Sequence, residues 1–402
     1  MKTEYEENFA ICHKCRSRIY KNPQRRRQAN VRLIKNGEKC SVCNNLLLNE
    51  EAILSLVKHK IRILGVDFNS FIMACQINSK KITKQEKKAY QHLNYKGHDD
   101  IKHHIKRDIG VLIAKKLDKR IEFKHPDVVI MVKIKDTPFE NSPYPEVGNV
   151  NIFIDTNPLF IEGKYRKLVR GIPQTKWPCT NCKGKGCDEC DHTGQQYKDT
   201  VEGLIANQIL PMTKGNDTKF HGSGREDIDV LMLGDGRPFV MEVKHPFKRN
   251  IDLKFLRRLI NSHSDGKIEV DDLKFTDRER VASIKKSSTE SYKIYEAIAT
   301  FDNGVTSNDI ARIQNIHTIN QRTPHRVERR RADLVRTRTI DYIHIERINS
   351  KQLKLTIKCQ GGLYIKELIS GDEGRTIPSI SSITNNKAIC SQLDVIEVHI
   401  PE

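Results

Sequence analysis

Eight of the eleven cysteines occur as four Cys-x-x-Cys pairs, a spacing that suits a metal ion. Two pairs lie near the N-terminus and two lie close together in the middle of the chain. The cysteines concerned are Cys12, Cys15, Cys40, Cys43, Cys179, Cys182, Cys187 and Cys190. Two such pairs are more typical of a tetrahedral zinc site than of a redox dithiol, so we expect structural zinc. The tight gap between the last two pairs leaves open whether one ion takes all four ligands there.

A cluster of acidic residues follows a glycine-rich segment, His221 to Asp227. Ile228–Leu233 alternates between apolar and polar residues, a Gly-Asp-Gly turn signal follows, and Phe239–Val243 is apolar, so the pattern predicts a β-hairpin. Glycines before the acidic cluster let the backbone approach a ligand closely. On its own, the pattern fits equally well a plain hairpin that exposes Asp227 and Asp229 to water.

The same region contains an alternative set of chemically active residues. Asp229, Glu242 and Lys244 together form the pattern Asp…Glu-x-Lys, with Glu242 and Lys244 at the end of the predicted hairpin. Many nucleases hold a divalent metal with two such carboxylates, while the lysine orients the attacking water. This hypothesis predicts a metal-dependent nuclease that EDTA inhibits.

The chain is strongly basic, with 70 Lys and Arg against 51 Asp and Glu, a net charge of +19. Basic surfaces are the usual sign of nucleic-acid binding, because they neutralise phosphates and release counterions. Seven arginines fall within Arg322–Arg338, which supports another alternative: a non-catalytic RNA-binding protein. No apolar run approaches the ~20 residues of a membrane-spanning helix, and the first eight residues lack a signal-peptide pattern. We therefore expect a cytoplasmic protein.

The elements that must position these residues divide into three parts. Residues 1–45 have the layout of a zinc ribbon, and because so short a segment buries little apolar surface, we expect the metal to supply much of its folding energy. Residues 46–155 read as a mixed α/β domain, ending at the turn signal Asp155–Pro158. Its predicted elements are an apolar-periodic segment at Glu50–Val57, strands at Arg62–Val66 and Asp127–Ile134, and an amphipathic helix at Ile101–Leu117. Residues 156–402 hold the acidic cluster.

Several further motifs follow the acidic cluster. They are Tyr292–Ala297, Gln321–Asp333, Gly361–Leu368 and Gly371–Thr376. Together, and in this order, they resemble the archaeal-type tRNA pseudouridine synthases that modify positions 54 and 55 of the T-arm. The resemblance implies an α+β chain: a zinc ribbon (1–45), a THUMP-like α/β RNA-binding domain (46–155) and a pseudouridine-synthase catalytic domain with a mixed or antiparallel sheet (156–402).

The resemblance also implies roles for individual residues. Asp227 matches the catalytic aspartate, Tyr295 the aromatic residue that stacks on the target base and serves proton transfer, and Lys366 the basic partner of the aspartate. Leu368 matches the apolar floor of the pocket, and Leu363 stands where the wider superfamily has threonine. The implied substrate-binding residues are Tyr295, Tyr364, Leu368 and Arg225. We expect tRNA as the partner, a monomer, structural zinc only and no catalytic cofactor.

Overall fold

The computed structural model describes residues 9–97, 99–140, 142–286 and 291–400. Residues 1–8, where we expect no signal peptide, lie outside the described part. The chain forms two compact units: an N-terminal unit, up to Pro158 together with Lys244–Asn250, and a C-terminal unit, Leu159–Val243 together with the residues from Ile251 onward. Within the described residues, no helix is both long enough and apolar enough to cross a bilayer.

The N-terminal unit combines helices with a small mixed sheet. Its helices are α1 (His13–Ile19), α2 (Pro23–Gln28), α3 (Glu50–Leu64), α4 (Lys80–His92), α5 (Ile101–His104) and α6 (Gly110–Leu117), and its strands are β1 (Ser70–Asn78), β2 (Arg120–Ile121), β3 (Val128–Lys135) and β4 (Val150–Thr156). The strand order is β2-β1-β3-β4. β1 is parallel to β2 and β3, whereas β4 is antiparallel to β3.

Most predicted elements of this unit are present, but one is wrong. The predicted strand at Arg62–Val66 is instead the last turn of α3, which ends at Gly65 in the left-handed conformation. The apolar residues Ile53, Val57, Ile61 and Leu64 keep the helical spacing as far as that glycine, which terminates the helix. The predicted helix at Ile101–Leu117 is present as α5 and α6, joined by a π-helical turn at Ile105–Ile109.

The C-terminal unit is built on a ten-stranded mixed sheet. Its strands are β5 (Leu159–Lys167), β6 (Asp217–Gly222), β7 (Leu231–Lys244), β8 (Ile268–Thr276), β9 (Tyr292–Phe301), β10 (Thr318–Arg322), β11 (Val335–Asn349), β12 (Gln352–Gln360), β13 (Thr376–Ile377) and β14 (Ala388–Val398). The order is β13-β10-β11-β12-β9-β14-β7-β5-β8, and β6 pairs with β7. The helices are α7 (Val201–Thr213), α8 (Leu253–Ser262), α9 (Arg278–Lys286), α10 (Ser307–Gln314), α11 (Ile365–Ser370) and α12 (Ile380–Thr384). Mixed sheets with separate helices confirm the expected α+β class.

The predicted hairpin turn after Asp227 is wrong. Leu231–Lys244 is one strand, β7, and β5 pairs with both of its halves: Tyr165 lies opposite Arg237, and Lys167 lies opposite Met232. The Gly-Asp-Gly segment therefore bulges out of the strand instead of reversing it. Gly234 has φ +58°, and a Cβ atom there would lie 1.9 Å from the carbonyl oxygen of Ile396. The glycine is needed because β14 passes the bulge at this point.

Candidate active site

Asp227 lies in the loop between β6 and β7, and its neighbour Glu226 anchors that loop in the core. The buried Glu226 carboxylate oxygens lie 2.8 and 2.9 Å from the hydroxyl of Tyr165, and one accepts a hydrogen bond from Nε of Arg237 at 2.9 Å. Arg237 is only 1% exposed. A buried charge is tolerated when it is paired and hydrogen-bonded, so this pairing fixes the backbone just before Asp227.

A buried lysine holds the other side of the same loop. Lys167 is fully buried, and its Nζ donates hydrogen bonds to the carbonyl oxygens of Asp227 at 3.0 Å, Ile228 at 3.2 Å and Ile172 at 3.1 Å. Burial lowers the pKa of Lys167. Three carbonyl acceptors satisfy all three donors of the ammonium group, so Lys167 fixes the main chain at Asp227 without touching its carboxylate.

Two cations approach the carboxylate of Asp227. Nη1 of Arg326 donates to Oδ2 of Asp227 at 2.8 Å, whereas Nζ of Lys366 lies 3.5 Å from the same oxygen. Lys366 instead bonds both oxygens of Asp229, at 2.8 and 3.0 Å. Although partial burial opposes it, the Lys366 ammonium lowers the pKa of Asp229. The side chain of Asp227 remains 34% exposed, which leaves it open to a ligand.

Arg326 is a candidate functional residue that the sequence does not single out. The run of arginines between Arg322 and Arg338 predicts one surface for phosphates, but in the structure several of these arginines have internal partners. Arg322 pairs with Asp333 at 2.6 Å, and Arg326 reaches Asp227. The motif Gln321–Asp333 carried a usable signal, since it belongs to the set that resembles the enzyme family, but its charge alone does not separate inward-facing from outward-facing arginines.

Tyr295 and Leu368 lie at the apolar core of the C-terminal unit. Tyr295, on β9, is half-buried and packs against the core cluster of the C-terminal unit, in which Leu368 of α11 is fully buried. Burial raises the pKa of Tyr295 above its usual value, and the nearby Asp227 carboxylate contributes to this shift. Tyr295 is therefore a neutral phenol close to the aspartate.

The other two predicted substrate-binding residues have different surroundings. The ring of Tyr364 lies 5.7 Å from the guanidinium carbon of Arg326, and Gln321 hydrogen-bonds the main chain of Tyr364 in both directions, at 2.8 and 3.0 Å. Arg225 is exposed and lies over the ring of Trp177, at 5.9 Å. Tyr364 thus joins the group around Asp227, whereas Arg225 extends towards the cysteine-rich segment.

Lys293 adds a half-buried cation close to the same loop. It lies two residues before Tyr295 on β9, and a Cβ atom on Gly224 would lie 3.0 Å from its Nζ. Burial, assisted by the positive charge of Arg237, lowers the pKa of Lys293 from 10.5 to about 8. Below pH 8, Lys293 is therefore protonated in the folded protein, and its positive charge costs more free energy there than in the unfolded chain. We expect Lys293→Met to raise the free energy of unfolding by about 3 kcal/mol at pH 7.

This gain depends on pH in a defined direction. In the unfolded chain, the lysine stays protonated up to its ordinary pKa of 10.5. The free-energy cost of the charged Lys293 in the folded state therefore disappears as the pH rises from about 8 to above 10. We expect the gain from Lys293→Met at pH 9.5 to be roughly half of that at pH 7. Denaturant titrations at both pH values measure this, with the exposed Lys351→Met as control. Equal gains at both pH values would attribute the effect to packing rather than to charge.

Both sets of four cysteines come together in space. In each set, the four Sγ atoms lie within 4.8 Å of one another. Cys12 and Cys43 are 3.7 Å apart in the first set, and Cys182 and Cys190 are 3.8 Å apart in the second. Tetrahedral Zn–S bonds of about 2.3 Å place sulfur atoms about 3.8 Å apart. Each set therefore fits one zinc ion, including the closely spaced set for which the sequence left this open.

Backbone donors stabilise the thiolate of one member of the second cysteine set, Cys190. Although partial burial favours the thiol, the backbone N–H groups of Cys187 and Gly194 lower the pKa of Cys190 to about 6. Metal binding requires the thiolate. Trp177, two residues before Cys179, contacts both Arg225 and Tyr197, and the ring centroids of Trp177 and Tyr197 are 5.6 Å apart.

The residues of the alternative nuclease motif have other partners. Glu242 Oε2 lies 2.9 Å from Nε2 of His221, and Asp229 is bound by Lys366. Among the described residues, the groups of three or more potential metal ligands are the two cysteine sets. Asp229 and Glu242 therefore do not form the shared metal site that the nuclease hypothesis requires.

Comparisons with known proteins agree with the motifs. Residues 160–399 match the family model "Pus10, C-terminal", and residues 58–133 match "Pus10 THUMP domain, archaeal". The tRNA pseudouridine synthase Pus10 of Methanosphaera stadtmanae is 67% identical over 400 residues, covering 100% of this chain and 98% of that protein. The enzyme of the same name from Methanothermobacter marburgensis is 42% identical over 362 residues, covering 90% and 86%. The chain therefore belongs to the Pus10 family of tRNA pseudouridine synthases, enzymes that isomerise uridine to pseudouridine.

Proposed function

We propose that this enzyme isomerises uridine 54, uridine 55 or both in the T-arm of tRNA, with Asp227 as the catalytic carboxylate. The observation that carries the proposal is the setting of Asp227: its loop is fixed by buried contacts, its carboxylate is held by Arg326, and a neutral tyrosine lies nearby. Family membership excludes a nuclease and a purely RNA-binding protein as the main function.

The proposed chemistry needs each of these groups. Isomerisation breaks the N-glycosidic bond, turns the base and rejoins it through C5. A carboxylate can serve as nucleophile or base while it is ionised, and adjacent cations favour that form. The target uridine lies within folded RNA and must be flipped out, so an aromatic residue such as Tyr295 stabilises it by stacking. Lys366 supports the loop through Asp229, and Leu368 supplies the apolar floor.

The rest of the chain serves RNA binding in this proposal. Residues 1–45 form a zinc ribbon, 46–155 a THUMP-like domain and 156–402 the catalytic domain. The break between the two compact units at Pro158 and the two family-model matches support this division. Each cysteine set binds one structural zinc ion. The net charge of +19 suits a tRNA ligand, and Tyr364 and Arg225 are the proposed additional contacts to it.

The test is pseudouridine formation on an unmodified tRNA transcript, mapped by mass spectrometry with EDTA present. Transcripts with cytidine at position 54, at position 55 or at both separate the two targets. We expect pseudouridine at one or both positions in the unchanged transcript, and no product in the doubly substituted one. Pseudouridine outside the T-arm in all transcripts would contradict the proposed site while leaving the enzyme class intact.

A further inference from the structure

We propose that Arg326, rather than Lys366, is the cation that holds the carboxylate of Asp227, and that it turns Oδ1 of Asp227 towards the target nucleoside. This inference rests on the proposed catalytic role of Asp227. It differs from what the family resemblance implies, because the resemblance assigns the partner role to Lys366.

The contacts of the carboxylate carry the first step. Arg326 Nη1 lies 2.8 Å from Oδ2 of Asp227, within hydrogen-bonding distance, whereas Lys366 is 3.5 Å from that oxygen. Lys366 makes its short contacts, 2.8 and 3.0 Å, to Asp229. A charge-assisted hydrogen bond is shorter and stronger than a longer ion contact. Arg326 is therefore the dominant partner of Asp227, and Lys366 mainly serves Asp229.

The second step concerns Oδ1 of Asp227, the carboxylate oxygen that neither cation contacts. Both cations approach Oδ2 of Asp227, and within the described residues no hydrogen bond reaches its Oδ1. A carboxylate with one oxygen held by a cation keeps its orientation while the other oxygen retains its lone pairs. Oδ1 is thus the atom available to a nucleoside that enters beside Tyr295.

The third step explains what holds Arg326 in place. Its Nε and Nη2 donate to Oε1 and Oε2 of Glu367, at 2.5 and 3.3 Å, and the side chain of Glu367 is only 5% exposed. The planar guanidinium group of Arg326 therefore bridges two carboxylates, the buried one of Glu367 and the partly exposed one of Asp227. Because a fork of this kind fixes direction as well as charge, Glu367 is a positioning residue. Lysine at position 326 would reproduce the charge but not the bridge.

The experiment compares Arg326→Ala, Arg326→Lys and Glu367→Gln with Arg329→Ala, a control in the same helical turn whose exposed side chain lies outside the Asp227 network. Single-turnover rates at saturating tRNA and dissociation constants for tRNA are measured separately. Circular dichroism and thermal melts check that each variant is folded.

We expect Arg326→Ala to lower the saturated rate about 10²-fold or more, the usual effect of losing one preorganised charged donor, with tRNA affinity changed less than about threefold. Arg326→Lys should recover only part of the rate. Added guanidinium ion should partly rescue Arg326→Ala, whereas potassium at equal ionic strength should not. Glu367→Gln should lower the rate by about tenfold, because Arg326 remains but is less well aimed. Arg329→Ala should keep the wild-type saturated rate.

Other outcomes would overturn the inference. If Arg326→Ala weakened tRNA binding and left the saturated rate unchanged, Arg326 would be a phosphate contact. If Lys366→Ala lost far more rate than Arg326→Ala, the partner would be Lys366. The Asp227→Asn variant separates the two levels of failure: an inactive Asp227→Asn beside a fully active Arg326→Ala contradicts this inference alone, whereas an active Asp227→Asn contradicts the proposed function itself.

Discussion

Replacing Asp227 by asparagine is expected to lower the rate of pseudouridine formation by about 10⁴-fold or more, the scale seen when a central catalytic group is removed. Asparagine has nearly the same shape and can still accept a hydrogen bond from Arg326. It carries no charge, however, and cannot act as a nucleophile or a base. Because the side chain is 34% exposed and Glu226 anchors the loop, we expect the variant to fold normally. Single-turnover assays on an unmodified tRNA transcript measure the loss.

The neighbouring Asp229→Asn is the matched control. It lies on the same loop, carries the same charge and is bonded by Lys366. We expect a rate loss of no more than about tenfold, since removing a positioning contact misdirects a cation but leaves the reacting group in place. tRNA affinity should stay within a few-fold for both variants. If Asp229→Asn abolished the reaction and Asp227→Asn did not, the catalytic role would belong to Asp229.

A substitution in the first cysteine set should also have a large effect, but on the affinity for tRNA rather than on the rate of the reaction. Structural zinc contributes ~10–16 kcal/mol to folding in small zinc-held peptides. We therefore expect Cys12→Ser or Cys40→Ser to lose one of two zinc ions and to unfold the segment that the metal holds. The Kd for tRNA should rise at least about tenfold, while the rate at saturating tRNA stays close to that of wild type. Elemental analysis, binding titrations and saturated rates measure the three quantities.

Cys75→Ser is the control for this experiment, because Cys75 is a buried thiol on β1 of the same unit and belongs to neither cysteine set. It should keep both zinc ions and wild-type affinity. Removing zinc from the wild type with a strong chelator should reproduce the Cys12→Ser defect, and added zinc should reverse it. Unchanged zinc content and affinity in Cys12→Ser would contradict the proposed zinc ribbon.

The sequence was most informative where short motifs have strict spacing requirements. The Cys-x-x-Cys pairs predicted metal ligation at all eight cysteines, because zinc ligation constrains residue type and spacing together. They left open whether the second set of four forms one site. In the N-terminal unit, apolar periodicity predicted the strand at Asp127–Ile134 and the helix at Ile101–Leu117, but it did not predict β1 or α4. The prediction at Arg62–Val66 was wrong, because a short apolar run next to a glycine fits a strand or a helix end equally well.

The sequence was least informative where distant segments meet. The Gly-Asp-Gly signal of β7 has the composition of a hairpin turn, but it forms a bulge because β5 continues to pair beyond it. That pairing partner lies some seventy residues earlier in the chain, so local turn preference could not reveal it. The position of Arg326 is a similar case: its partners Asp227 and Glu367 are remote in sequence, and an arginine-rich run does not show which member turns inward.

The position of β14 has a consequence for how the enzyme is made. β14 follows every other strand of its sheet in the chain, yet it lies in the middle, between β9 and β7. During synthesis, the long edge of β9 and the short stretch of β7 at Leu231 and Met232 must remain unpaired until Ala388–Val398 has been translated. Exposed edges of this kind invite pairing with other chains. A chain that ends shortly before β14 would therefore be not a slightly shorter enzyme but a sheet divided into two halves, with the long edge of β9 exposed to aggregation.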